Sequence, residues 1–257
     1  MHEIRQDYNL CVNNPEKYRK KVDEISSIFG LCGVKKLAYL LPDGITGKYD
    51  RTKQIVCFGI NPAYPKTHDS NLEEQRRKSW ADYERIQKER FSFPKDHGPI
   101  SKYYDDISIL LTGLIKNKIE ENIRNREKIL YDHLTNVNLI PYRSNGISIP
   151  TEGFSICQLN YMIPRLYNII KSISKYNPKL FIFNGKPWYT LLIKHHLIKK
   201  DPEKEMIKKF GIYFFKMDDI PCVLFDKFFS APYWGLLDND KGITMPNIIK
   251  KYYPDLF

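Results

Sequence analysis

The chain lacks the paired cysteines of a disulfide framework or a metal site. Its 257 residues include five cysteines that are scattered and never spaced as CxxC: Cys11, Cys32, Cys57, Cys157 and Cys222. This pattern argues against a disulfide framework and against a zinc or iron–sulfur site. It favours a reducing compartment, and we therefore expect a cytoplasmic protein.

Long apolar runs and several catalytic patterns are also missing. No run approaches the roughly 20 residues that span a bilayer. The N-terminus, MHEIRQDYNL, lacks the basic-then-apolar form of a signal peptide. The segments that follow the predicted strands offer no Ser/His/Asp triad, no metal-ligand cluster and no glycine loop for phosphate. We predict no membrane partner, no metal and no cofactor, so that recognition would depend on amides and a positioned water.

Negative charge is scarce, because 30 Asp and Glu stand against 41 Lys and Arg, for a net charge of +11. The excess is concentrated from Lys171 to Lys216, where eleven lysines accompany three acidic residues. A basic surface with 18 Tyr and 14 Phe suits DNA, which offers phosphates to pair and bases to stack on. Lysine on a solvated face of a protein from an AT-rich genome explains the composition equally well.

Hydrophobic periodicity predicts the α/β class. QIVCFGI, VNLIPY, KLFIFNG, FGIYFFK and CVLFDKFF are typical of short buried strands. Helical patterns alternate with them, which predicts a three-layer α/β/α fold with a central, mainly parallel sheet of about four to five strands. We predict a single domain over residues 1–257, with an N-terminal helical extension at about 1–45 and a charged insertion at about 66–100.

Four polar segments follow the predicted strands and are candidates for a functional site. Ligands of an open parallel sheet bind outside the carboxyl ends of its strands. GINPAYP, NLIPYRS, FNGKPW and FDKFFSAPYWG lie at such ends, and each combines an amide or hydroxyl with rigid Pro or permissive Gly.

In this order, the segments resemble the motifs of the uracil-DNA glycosylase superfamily over roughly residues 50–257. GINPAYP is similar to the first motif, GQDPY or GxNPG, and VNLIPY to the asparagine-containing strand that reads the base. FSFPKDHGPISKYYDDISIL resembles the segment that begins with a base-stacking Phe, and PKLFIFNGKPWYTLL the late strand-to-helix step. FFSAPYWGLLDNDKGITMPNIIKKY resembles the HPSP-type DNA loop and final helix.

The resemblance implies a DNA N-glycosylase that flips uracil or another altered, 5-substituted pyrimidine out of DNA and hydrolyses its N-glycosidic bond. Such an enzyme would serve DNA repair or antiviral defence against modified DNA. Its partner would be single- or double-stranded DNA, and we expect a monomer that is associated with the nucleoid in a prokaryote.

The resemblance also implies roles for individual residues. Asn61 would position water against the sugar C1′, and Ser230 would be a second catalytic residue in the HPSP-type loop. The implied base-binding residues are Asn138, Phe91, Ala63 and Tyr64. Ala63 stands where many members have a Tyr that excludes a 5-methyl group, so thymine or a bulkier base would fit. The implied DNA-binding residues are Lys186, Lys227, Tyr233, Trp234 and Arg143.

Phe228 departs from the family, because it stands where the HPSP-type loop has its histidine. In the family that histidine stabilises charge on the departing base, so the chain would be a weaker glycosylase, one that uses another donor such as Lys227, or a non-catalytic relative. The alternative is therefore a catalytically weak or inactive protein with the glycosylase fold that binds DNA or protein. A third alternative is an unrelated α/β enzyme that acts on a nucleotide. Asn61 and Asn138 also have structural explanations, as a strand-end Asn-Pro turn and as an amide tied to neighbouring backbone.

Overall fold

A computed structural model describes residues 2–32, 36–60, 79–89, 102–116, 123–143, 153–198, 202–207, 210–226 and 244–257. The helices in these stretches are α1 His2–Asn13, α2 Pro15–Ile28, α3 Trp80–Glu89, α4 Lys102–Lys116, α5 Ile123–His133, α6 Ile156–Ser174, α7 Lys186–Tyr189 and α8 Met245–Tyr252. A π-helical turn at Thr190–Lys194 continues α7. Among these helices, none combines the length and apolarity that a membrane span requires.

One sheet of seven strands runs through the described part of the chain in the order β1-β3-β2-β4-β7-β6-β5. The strands are β1 Ile45–Gly47, β2 Ile55–Gly59, β3 Leu134–Asn138, β4 Leu180–Asn184, β5 Glu203–Ile207, β6 Phe210–Met217 and β7 Ile220–Phe225. The four central strands, β3, β2, β4 and β7, are mutually parallel. β1 joins β3 antiparallel at one edge, and β6 and β5 extend the other edge antiparallel.

The α/β class is confirmed, and the sheet is wider than the predicted four to five strands. β1 and β5 account for the difference. β1 has only three residues, ITG, and β5 has the sequence EKEMI, in which charge interrupts the apolar run. Neither has the long apolar run by which buried strands are predicted. β1 is too short, although all three of its residues are buried, and β5 is an edge strand that carries charge.

Helices cover both faces of the sheet, as the three-layer prediction requires. Val56 and Phe58 of β2 pack on one face with residues of α1, α2 and α6. Ile55 and Cys57 point to the other face, where residues of α4, α5 and α8 cover them. The alternation follows from the two-residue period of a strand, since successive side chains leave opposite faces.

The course of the chain between the parallel strands places a switch point beside β2. From β2 the chain crosses through α4 and α5 to β3 on one side, and then returns through α6 to β4 on the other side. The connection that leaves β2 goes toward β3, and the connection that leaves β4 goes toward β7 on the opposite side. In an open sheet, this reversal puts the ligand crevice between β2 and β4, at their carboxyl ends. GINPAYP and FNGKPW begin at these two ends.

The N-terminal residues belong to the same core as the sheet. Ile4 and Tyr8 of α1 and Tyr18 of α2 lie in one cluster with strand residues such as Phe58. Asn14 caps α2 by accepting a hydrogen bond from Lys17 N at 3.1 Å, with Pro15 at the first helical position. That residues 1–257 form one domain stays a prediction. Of the charged insertion at 66–100, the structure describes residues 79–89, which include α3.

Candidate functional site

The carboxyl ends of the parallel strands carry a row of polar residues on one face of the sheet. Asn138 of β3 pairs in register with Gly59 of β2, and Asn184 of β4 with Phe225 of β7. Phe58 pairs with Phe183, so Gly59 comes beside Asn184 one residue further on. Partners in a parallel ladder share a face, and two strand spacings separate the amide-bearing strands by roughly 10 Å. Gly59 therefore forms the floor between two asparagines.

Asn138 is buried, with 6% of its surface exposed, and its amide lies over Gly59. Nδ2 donates a hydrogen bond to the carbonyl oxygen of Asp43 at 2.9 Å. Oδ1 lies 2.7 Å from the position that a Cβ on Gly59 would occupy. Besides this N–H, the amide has a second N–H and an oxygen with two acceptor sites. Within the described residues, neither the second N–H nor the oxygen makes a hydrogen bond. Asn138 is thus tied to the backbone of Asp43, and within the described part of the chain its oxygen is a candidate to bind a ligand.

β2 and β3 remain paired beyond their last strand residues. Leu139 N donates to Gly59 O at 2.9 Å, and Ile140 N donates to Ile60 O at 2.7 Å. Ile60 is therefore held beside β3, and Asn61 follows it in sequence. β3 begins at Leu134 and ends at Asn138, so the predicted strand VNLIPY lies too far toward the C-terminus. Only Val137 and Asn138 of it belong to β3, and the chain bends at Leu139 and Ile140.

Most of the predicted site residues lie outside the described residues. These are Asn61, Ala63, Tyr64, Phe91, Lys227, Ser230, Tyr233 and Trp234, together with the substituted Phe228. Their predicted roles stay predictions.

Lys186 and Arg143 have different surroundings. Lys186 is exposed at the first residue of α7, next to Gly185, whose φ of 104° requires glycine. Its ammonium is therefore accessible to a phosphate at the end of β4. The guanidinium of Arg143, in contrast, is mostly buried and donates to Asp43 Oδ2 at 3.0 Å. This ion pair gives Arg143 a structural partner, and its predicted DNA contact stays a prediction.

Asn184 is a site residue that sequence reasoning missed. It is 9% exposed, and its Oδ1 is a buried acceptor with no hydrogen-bond partner among the residues that the structure describes. An unpaired buried acceptor costs free energy, and its presence in a native structure calls for a ligand or water. Its position in FNGKPW, at the end of a predicted strand, was the available signal.

Tyr103 was also missed. It lies in the first turn of α4, and its hydroxyl donates to Asn136 Oδ1 at 3.2 Å. The residue is 37% exposed, while its hydroxyl reaches the sheet, where desolvation raises the pKa of Tyr103 well above its usual value. Cys57, the register partner of Asn136, contributes to the same shift. The neutral Tyr103 hydroxyl is thus tied to Asn136, which lies on the same face of β3 as Asn138.

Asp43 is the third residue that the sequence did not single out, because LPDGITGKYD has the composition of an ordinary turn. It is 4% exposed, and Thr46 Oγ1 donates to its Oδ1 at 3.3 Å. The available signal was an acid between apolar residues. That signal is weak, since Asp is common in turns.

The row can recognise a planar, hydrogen-bonding ligand. Asn138 offers N–H and carbonyl groups on one side of Gly59, and Asn184 offers a carbonyl on the other. Within the described stretches, no cluster of three or more His, Cys, Asp or Glu could hold a metal ion. In comparisons with known proteins, no family model matches the chain, and neither does any curated protein.

Proposed function

We propose that this protein is a DNA N-glycosylase that excises uracil or another altered pyrimidine by base flipping and hydrolysis. One observation carries the proposal: a buried asparagine amide lies across a glycine at the end of the strand that leads directly into Asn61. Base reading requires such an amide on a rigid element next to the residue that positions water. The order of the motifs resembling the superfamily, two of which contain Asn61 and Asn138, is consistent with the proposal.

In the proposed reaction the flipped base lies over Gly59. Asn138 reads its Watson–Crick edge, and Asn61 holds a water below the sugar C1′. Cleavage of the N-glycosidic bond develops positive charge on the sugar and negative charge on the base. Asn61 is too weak a base to deprotonate water, so its contribution is to orient the water by hydrogen bonding. Phe91 would stack on the base, and Ser230 would contribute from the second loop.

DNA binding would use the basic surface around the site. Lys186 is exposed at the end of β4, and it belongs to the lysine-rich stretch from Lys171 to Lys216. Each phosphate that a lysine neutralises releases condensed counterions, so affinity should fall steeply with salt. A role in repair and a role in defence against modified DNA both follow from the same chemistry.

The test is base excision from end-labelled oligonucleotides. Each carries one uracil, mismatched thymine, hypoxanthine or 5-hydroxymethyluracil, and alkali then cleaves at any abasic product. We expect product from at least one, and a loss of about 100-fold or more in Asn61→Ala, since removing one catalytic hydrogen-bonding group costs that much. Asn168→Ala is the matched control, because this exposed amide donates to Glu3 on the surface of α6. Absence of product from the whole panel would contradict the proposal.

The Phe228 substitution favours a second candidate, a binder on the same fold without turnover. It predicts salt-sensitive DNA binding, no abasic product with any of the four bases, and binding that is unchanged in Asn61→Ala. The glycosylase predicts a loss of product in that variant, so one set of measurements separates the two.

A further inference from the structure

Asp43 and Gly44 form a turn whose backbone is hydrogen-bonded to the end of β3. Asn138 N donates to Gly44 O at 2.7 Å, and Asp43 N donates to Pro141 O at 2.6 Å. Asn138 Nδ2 also donates to Asp43 O, at 2.9 Å. The turn therefore accepts hydrogen bonds from both the backbone and the side chain of Asn138.

The hydrogen bond to Asp43 O determines which way the Asn138 amide faces. A carbonyl oxygen accepts only, so the amide must turn its nitrogen toward Asp43. The reverse orientation would bring two acceptors together in a buried position, where such a contact is costly. Oδ1 is consequently held on the Gly59 side, 2.7 Å from the site of a Cβ there.

The Asp43 carboxylate holds this turn in place. Oδ2 pairs with Arg143 Nη2 at 3.0 Å, and only 5% of the Asp43 side chain is exposed. Thr46 Oγ1 lies 3.3 Å from Oδ1 and also contacts Gln87 Oε1 of α3 at 3.2 Å. Charge-assisted hydrogen bonds in a buried position are directional and resist rotation. Removal of the carboxylate would leave the guanidinium uncompensated and loosen the turn.

We propose that Asp43 is the positioning residue that orients Asn138 to accept a hydrogen bond from a ring N–H of the flipped base. The inference rests on the proposed function for the location of the base, and it extends that function to a segment that precedes the first motif. Bases with a ring N–H beside a carbonyl, such as uracil, thymine and hypoxanthine, satisfy this orientation. Cytosine and adenine present an acceptor at that ring position and do not.

The experiment measures binding, so it does not depend on catalysis. The probes are fluorescent oligonucleotides with one 2′-fluoro-2′-deoxyuridine, whose glycosidic bond resists hydrolysis, or its 3-methyl derivative, which has no ring N–H. The corresponding pair with hypoxanthine carries the methyl group on N1. We expect the wild-type protein to prefer one unmethylated base by about tenfold, the contribution of one well-oriented hydrogen bond.

Three variants test the role of Asp43. Asp43→Ala should abolish the preference, and Asp43→Asn, which keeps one acceptor oxygen for either Arg143 or Thr46, should retain part of it. Asp7→Asn is the matched control. Asp7 is a buried carboxylate that accepts from Tyr142 at 2.7 Å and pairs with Lys21, with no hydrogen bond to Asn138. Asp7→Asn should lower the free energy of unfolding and leave the preference for the unmethylated base unchanged.

The possible outcomes separate the inference from the proposed function. No preference in the wild-type protein, an undiminished preference in Asp43→Ala, or an equal loss in Asp7→Asn would each overturn the role of Asp43. If Asp43→Ala does not fold, Asp43→Asn must show the reduced preference. A wild-type preference that Asp43→Ala loses, without excision of any base, would refute the glycosylase and support the orientation of Asn138 by Asp43.

Discussion

Gly59→Ala tests the contact between β2 and Asn138 directly. The new Cβ would lie 2.7 Å from Asn138 Oδ1, whereas ordinary contacts begin at 3.4 Å. Val137 O, at 3.7 Å, would not be disturbed, and the φ of Gly59 is not in the left-handed region. The amide must therefore move, and we expect it to lose its hydrogen bond to Asp43 O.

The magnitude follows from two opposing terms. Breaking the buried hydrogen bond and leaving its groups unpaired costs about 2 kcal/mol. Replacing Gly by Ala stabilises by roughly 0.5 to 1 kcal/mol, because the unfolded chain loses conformational freedom. The net destabilisation is about 1 to 1.5 kcal/mol, which lowers the Tm by about 3 to 5 °C for a chain of this size.

The assay is urea denaturation of Gly59→Ala in two backgrounds, the wild type and Asn138→Ser. Serine lacks the Oδ1 atom that the new Cβ would meet, so only the favourable term should remain and the effect of Gly59→Ala should change sign. Gly30→Ala is the control. Gly30 has a φ of +64° and no atom within 4 Å of a new Cβ, so its cost should be equal in both backgrounds. An equal cost of Gly59→Ala in both backgrounds would refute the reasoning.

Two further predictions concern polar atoms without partners in the described residues. Asn184→Ala should change the free energy of unfolding by less than about 1 kcal/mol, since it removes a buried acceptor that is unpaired, yet it should weaken DNA binding; a large loss of stability in urea would contradict this. Burial raises the pKa of Tyr161 from 10.0 to about 12. Ionisation of this buried hydroxyl is disfavoured in the folded state, so the free energy of unfolding is unaffected below pH 10 and declines as pH rises from 10 through 12. Tyr161→Phe should therefore leave stability at pH 7 unchanged and flatten its decline above pH 10, and parallel declines in wild type and variant would exclude this origin.

The central strands and most helices could be predicted from the sequence alone. QIVCFGI and KLFIFNG each contain one whole strand, β2 and β4, because a strand buried on both faces must be apolar at every position. The periodicity of residues 159–176 likewise predicts most of α6, whose N-terminus is fixed three residues earlier by the capping box of Ser155 and Gln158. The end of β3 was less well predicted, since LIPY is as apolar as the strand it follows.

For the site, the sequence by itself determined which residue types end each strand, and so predicted Asn138 and Lys186 as candidates at the carboxyl edge. It could not determine which distant groups those residues meet. Asp43 lies 95 positions before Asn138, yet its carbonyl orients the Asn138 amide, and its carboxylate forms an ion pair with the guanidinium of Arg143. Antiparallel pairing of β1 with β3 brings these groups together. That pairing could not be predicted, because β1 consists of only three residues, ITG. Local sequence determines backbone propensity and burial pattern, whereas hydrogen-bond partners across strands depend on register, which the folded sheet alone decides.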